Sequence, residues 1–170
     1  MKKISFRNDV LPLKNMLYRL ALRITLNNAE AEDIVQDTLI KVWNRREQWD
    51  SIESIEAYSL TVCRNLSLDR NRKMANLSQS LEDVGTDQPD GAQNPYEQAV
   101  QGDRVRLVRQ IVDSVPEKQR SCVQLRDFEG KPYKEIATIL GITEEQVKVN
   151  IFRARQTIKT RFQELEEYGL

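Results

Sequence analysis

Residues 132–161, PYKEIATILGITEEQVKVNIFRARQTIKTR, decide how the second half of this chain is read. Lys134 to Leu140 has the spacing of a short helix, with Ile136, Ala137 and Leu140 on one side. Gly141 follows at a tight turn, where φ > 0 is easiest for glycine. Ile142 is placed to plug the angle between two helices. Thr143 and Gln146 match a capping box, Thr at N-cap and Gln at N3. Val147, Ile151, Ala154 and Ile158 then form the inward stripe of a longer helix. The small residues Ala137 and Ala154 let the two helices cross closely. This is the pattern of a DNA-binding helix-turn-helix, although a plain helical hairpin with a solvated charged face has the same spacing.

The outward face of the second helix carries Gln146, Val149, Asn150 and Arg153, flanked by Lys148 and Arg155. Early residues of such a helix face base edges, and later basic ones meet phosphates. Asn150 or Gln146 suits an adenine edge, Lys148 a guanine or a phosphate, and Val149 a thymine methyl. Tyr133 and Lys134, opening the supporting helix, are placed to touch backbone phosphates.

Outward from this motif the chain remains helical. Aromatics are 6% of the 170 residues, too few for a sheet-rich interior, and apolar residues recur at helical spacing. An all-α fold is expected. The first helix is expected over about Asp9 to Leu26, with Leu13, Met16, Leu17, Leu20 and Ile24 inward. The second starts after Asn28 as N-cap and runs to about Arg46, with Ala31, Ile34, Val35, Thr38 and Val42 inward. The third follows Ser54 as N-cap and ends near Lys73. In the second half, Asn94-Pro95-Tyr96-Glu97 opens a helix that ends near Ser114. Another runs from Pro116 to about Asp127, Gly130 breaks the chain, and the last helix ends near Glu166. Trp43 is expected to anchor the core.

Net charge is zero, yet it is unevenly placed. Residues 1–73 and 104–170 each hold 13 basic and 10 acidic residues, while residues 74–103 hold six acids and no Lys or Arg. Residues 75–94 are rich in Ser, Asp, Gln, Gly and Pro, and bury too little apolar area to offset the entropy of ordering them. They are expected to form a flexible acidic linker between two small helical domains, residues 1–74 and 95–170.

Composition also excludes function classes. Histidine is absent, and there is no Gly-rich phosphate loop, nucleophile elbow or metal-ligand cluster. An enzyme is not expected, nor any cofactor or metal. Cys63 and Cys122 read as core-filling thiols of a reducing compartment. No signal sequence or membrane span is read, so a cytoplasmic location is expected.

Three blocks carry a resemblance to a known family. Residues 29–43, AEAEDIVQDTLIKVW, resemble region two of bacterial sigma factors of the extracytoplasmic-function (ECF) group, and residues 57–73, AYSLTVCRNLSLDRNRK, resemble the next helix of that region. The stretch from Val115 to Arg155 resembles region four. The resemblance implies a promoter-specific initiation factor. Region two would dock on the clamp helices of the largest RNA polymerase subunit, and its third helix and preceding loop would open the minus-ten element. Region four would bind the minus-thirty-five element and touch the polymerase flap. A membrane-anchored anti-sigma partner is also implied.

On the matching positions, Asp33, Gln36, Asp37, Ile40 and Lys41 would bind polymerase. They lie opposite or beside the buried stripe, and an exposed isoleucine among acids suits a protein interface with a polar rim. Arg64, Asn65, Arg70, Arg72 and Lys73, with Trp49 in the loop Gln48 to Ser54, would handle minus-ten DNA. The basic residues also complement the helix dipole. A free regulator would need only the second domain, and a decoy would have lost its basic residues. The chain departs from the family at Tyr58-Ser59, where Trp-Leu is usual, and at Val149-Asn150, where Ser-Arg is usual. Altered minus-thirty-five readout is therefore expected. The linker is further expected to let the domains fold together or around an inhibitor, hiding both DNA faces.

Overall fold

The computed structural model describes residues 3–80 and 102–167. Among them there is no strand, and the helices are α1 (Lys14–Thr25), α2 (Asn28–Asn44), α3 (Ile55–Ser80), α4 (Asp103–Ser114), α5 (Glu117–Val123), α6 (Tyr133–Leu140) and α7 (Glu144–Glu167). The all-α expectation holds. The helix start expected at Asn94, and residues 81–94 of the expected linker, lie outside the described residues. Residues 75–80, also assigned to that linker, continue α3 instead.

Local chemistry explains the helix ends. Asn27, not Asn28, caps α2: its backbone is extended and its Oδ1 accepts the Glu30 N–H at 3.0 Å. Leu26 just before it takes the left-handed conformation, φ 57°, that ends α1. Ser54 Oγ accepts the Ala57 N–H at 3.1 Å, as expected of a cap. Both bonds of the Thr143–Gln146 capping box are formed, at 3.0 and 3.1 Å. Gly141 ends α6 at φ 69°. The helix expected from Pro116 to Asp127 changes pitch midway: α5 ends at Val123 and a π-turn spans Gln124–Phe128.

Helices α1, α2 and α3 pack around Leu17, Leu20, Ile24, Ile34 and Leu60, all essentially inaccessible. A smaller cluster joins Val10, Val42 and Trp49. Here one expectation is reversed. Trp43 is 43% exposed, and Trp49 is the buried tryptophan at 6%. Trp49 Nε1 donates to the Val42 carbonyl at 3.0 Å, so the turn Arg46–Ser51 folds its indole under the end of α2. Both cysteines are buried, and burial pushes the Cys63 thiol up to about 12 and that of Cys122 to about 11.

The two domains share one core. Cys122, Leu125, Ile136, Ile139, Leu140, Val147 and Ile151 join the cluster formed by α1, α2 and α3. The joint runs where α1 meets α5 and α3 meets α6. Arg120, 8% exposed, lies at its centre. Its Nε donates to the Arg23 carbonyl at 2.7 Å and its Nη2 to the Ile24 carbonyl at 3.1 Å. Those carbonyls end α1 and have no partner within their own helix. Nη1 donates to the carbonyls of Asp113 and Val115, both at 3.1 Å. Burial draws the guanidinium pKa down, while Asp113 and Glu117 pull it up. Further charge pairs cross the joint: Arg19–Glu129 at 2.6 Å, Arg23–Asp113 at 2.7 Å, Arg64–Glu117 at 3.1 Å, and Lys131–Glu56.

Candidate protein and nucleic-acid interfaces

The outward side of α2 is set by its inward stripe. With Ala31, Ile34, Val35, Thr38 and Val42 buried, helical spacing turns Asp33, Gln36 and Ile40 outward. Asp33, Gln36, Ile40 and Lys41 are exposed and Asp37 is half-buried, so all five expected protein-binding residues share an accessible strip. Ile40 is 57% exposed. Beside it Trp43, Leu39 and Phe6 complete a shallow cleft. Phe6 packs edge-on against Trp43 at 5.3 Å, and the Arg46 guanidinium lies 4.4 Å from the Trp43 ring centre. Phe6 and Trp43 were not legible as part of this face. Phe6 is far away in sequence, and Trp43 sits one residue past the buried Val42.

The residues expected to meet minus-ten DNA divide into two groups. Asn65, Arg72 and Lys73 are exposed, and Arg72 pairs with Asp69 one turn earlier. Trp49, Arg64 and Arg70 are engaged elsewhere. Trp49 is a core residue, so its indole offers no stacking surface, and the exposed residues of that turn are Arg46, Glu47, Gln48, Asp50 and Ser51. The Arg64 side chain is 7% exposed and bonded to Glu117 of the second domain, with its Nε left without a partner. Arg70 is gripped by acids of α2: Glu30, Asp33 at 2.7 Å and Asp37 at 3.5 Å. The hydrogen bonds to Asp33 and Glu30 hold its pKa above the ordinary arginine value.

In the second domain, α6, Gly141 and α7 form the expected helix-turn-helix. Ile136, Val147, Ile151 and Ala154 are buried and Ile142 packs beside them. Gln146, Lys148, Val149 and Arg153 stand outward. Asn150 is half-buried and its Nδ2 donates to the Gln146 carbonyl at 2.7 Å, which leaves Oδ1 as an acceptor. The Gln146 side-chain oxygen accepts the cap N–H, and its amide N–H groups remain as donors for a base. Tyr133 is half-buried, its ring covered by Arg126 at 4.3 Å and Lys148 at 5.7 Å. Lys134 is exposed. Arg155 bonds Asp127 in a fork, with Nε at 3.1 Å, which raises its pKa. Two residues of this face were missed: Phe152, 64% exposed and one turn after Val149, and Lys118, which lines the same cleft as Val149, Asn150 and Arg153. Helical spacing from Val149 points to Phe152, whereas Lys118 comes from a different helix and leaves no local signal.

The expectation that the domains, folded on each other, hide both candidate DNA faces is not met. The docked domains bury Arg64 but leave the outward face of α7 open, because α5 and α6 make the joint and α7 turns its far side away from it.

A basic, amide-bearing face on a helix-turn-helix, joined to a helical domain with an acidic and aliphatic strip, defines a DNA-reading protein that also docks on another protein. Comparison with known proteins narrows the class. The sigma-70 region 2 family matches residues 10–76 and the sigma-70 region 4 family matches residues 106–158. The ECF RNA polymerase sigma factor SigL of Mycobacterium tuberculosis is 32% identical over 153 residues, which cover 88% of this chain and 84% of SigL. SigX of Bacillus subtilis, also an ECF sigma factor, is 26% identical over 157 residues, covering 89% and 80%. Among solved structures, the sigma factor RpoE of Bartonella quintana, in complex with the anti-sigma factor NepR, superposes with a TM-score of 0.75 at 26% identity, covering 91% of this chain and 94% of that one. CnrH, in complex with the cytosolic domain of CnrY, shares the fold with a TM-score of 0.68 at 17% identity, covering 93% and 87%. The chain belongs to the ECF RNA polymerase sigma factors. It is an alternative sigma factor that binds core RNA polymerase and directs promoter-specific initiation of transcription. None of its described helices is long and apolar enough to cross a membrane.

Proposed function

We propose that the work of initiation is divided among three faces of this chain. The strip Asp33, Gln36, Asp37, Ile40 and Lys41, extended by Trp43 and Phe6, meets the clamp helices of the largest polymerase subunit. The basic end of α3, with Asn65, Arg70, Arg72 and Lys73, meets minus-ten DNA, joined by Arg64 once the domains part. The outward face of α7, with Lys148, Val149, Asn150, Phe152 and Arg153, reads minus-thirty-five DNA, and Lys134 and Arg155 meet phosphates beside it. An anti-sigma protein as a binding partner completes the reading, by likeness to RpoE, solved in complex with the anti-sigma factor NepR.

One observation carries it: the exposed Ile40 and Trp43 within an acidic helix face. A free repressor has no use for that strip, and a polymerase subunit does. Each DNA face alone is small. Tethering both on polymerase raises their effective concentration at two spaced elements. The test is reconstitution with core polymerase on a genomic template pool, followed by mapping of transcript starts. Starts are expected downstream of one shared two-part element. Initiation no more specific than that of core polymerase alone would sink the reading.

A further inference from the structure

The acidic face of α2 and the basic end of α3 are not independent surfaces. Glu30, Asp33 and Asp37 recur at helical spacing along one edge of α2, and Arg70 reaches across to all three. Nη1 serves Glu30, and Nη2 donates to Asp33 at 2.7 Å. Three carboxylates along one helix edge repel one another, and a single guanidinium fork relieves them. The cost falls on both proposed ligands. A DNA phosphate approaching Arg70 must displace carboxylates and face their excess negative charge. A cation of the polymerase approaching Asp33 or Asp37 must compete with Arg70.

The exposures differ in a way that gives the clasp a direction. The side chains of Asp33 and Asp37 are 54% and 46% exposed, open to a partner, whereas Glu30 is 24% exposed. A partner can take over the first two and leave the third. We propose that this clasp couples polymerase docking to promoter binding: basic groups of the polymerase that engage Asp33 and Asp37 cut the anchors on Arg70 from three to one and release it toward promoter phosphates. Glu30 is then a positioning residue that restrains Arg70 in the free chain. This rests on the assignment of α2 to polymerase and of Arg70 to minus-ten DNA made above.

The experiment uses the full chain, alone and bound to core polymerase, with a fluorescent forked duplex from a promoter mapped in the reconstitution. Without polymerase, Glu30→Gln is expected to tighten DNA binding about threefold, an effect of the size of one partly exposed ion pair, with the gain fading at high salt. Arg70→Ala is expected to weaken DNA binding by the holoenzyme and to tighten binding to core polymerase about two- to threefold, since Asp33 and Asp37 lose their internal competitor. A double-mutant cycle between Arg70 and Asp37, scored on polymerase affinity, should show coupling. Should Arg70→Ala lower the melting temperature, Arg70→Lys replaces it, keeping the charge and losing the fork. Unchanged DNA binding by free Glu30→Gln, or polymerase affinity left equal or weaker by Arg70→Ala, overturns the clasp while the interface assignments stand. Loss of Arg70 without effect on holoenzyme promoter binding overturns the Arg70 assignment and the clasp with it.

Discussion

At the scale of single residues, Asn150 is the most informative position on the recognition face. Its Oδ1 is available, but its Nδ2 is turned back to the Gln146 carbonyl. Two-point recognition of adenine needs Oδ1 and one N–H, and the second N–H of the same amide can stay on the Gln146 carbonyl. Asn150→Ala is therefore expected to cost on the order of 1–3 kcal/mol at one base position and to relax the selected minus-thirty-five sequence there. Fold stability should be nearly unaffected, because the residue is half-buried and outside the core. Selection from a randomised promoter library with holoenzyme checks this, and an identical consensus for both proteins refutes it. Phe152 and Val149 sit beside it as exposed apolar groups, so this face mixes hydrogen bonding with methyl contact.

At the scale of elements, helix boundaries were the most legible part of the fold, because their chemistry is local. Ser54, Gly141 and the Thr143–Gln146 pair are short-range signals, and each is realised. Asn27 and Asn28 are both competent caps, and the extended backbone of Asn27, following the left-handed Leu26, decides between them. The Trp43 and Trp49 reversal has another origin. Periodicity alone places Trp43 close to the buried Val42, and it says nothing about a short turn that carries Trp49 back under the helix to the Val42 carbonyl. The cap of α7 bears directly on the proposed function, since it fixes the first turn of the helix assigned to minus-thirty-five DNA. Thr143→Ala removes the acceptor for the Gln146 N–H and is expected to cost about 1 kcal/mol. Because Gln146 and Lys148 lie in or near the loosened turn, minus-thirty-five affinity should fall severalfold while minus-ten binding persists. Urea denaturation together with binding to isolated upstream and downstream probes checks both halves; equal losses on the two probes would contradict a local effect.

At the scale of the whole molecule, the docking of the two domains is what the sequence conceals. Nothing near Arg120 announces that it will cap the end of α1 some hundred residues earlier, and nothing near Arg64 announces Glu117. Such pairs have no period and no local motif. They carry a consequence for the proposed function, because Arg64 belongs to the helix assigned there to minus-ten DNA, and its bond to Glu117 exists only while the domains are joined. Arg64 Nε lies buried beside this bond without a hydrogen-bond partner. Glu117→Gln keeps the shape of the side chain, and its oxygen can still accept from Ser121, which donates at 2.7 Å in the native chain. What is lost is the charge opposite a nearly buried guanidinium, roughly 1–3 kcal/mol for a pair this sheltered. That shift is expected to move the closed-to-open ratio about fivefold or more. Energy transfer between dyes at the exposed positions Glu47 and Gln156 should fall, and the free chain should bind forked minus-ten DNA more tightly. The same substitution should change holoenzyme binding far less, since in the proposed division of work polymerase already holds the domains apart at two promoter elements. A variant that opens without gaining DNA affinity would show that Arg64 is a structural pin of the joint and not a promoter contact held in reserve.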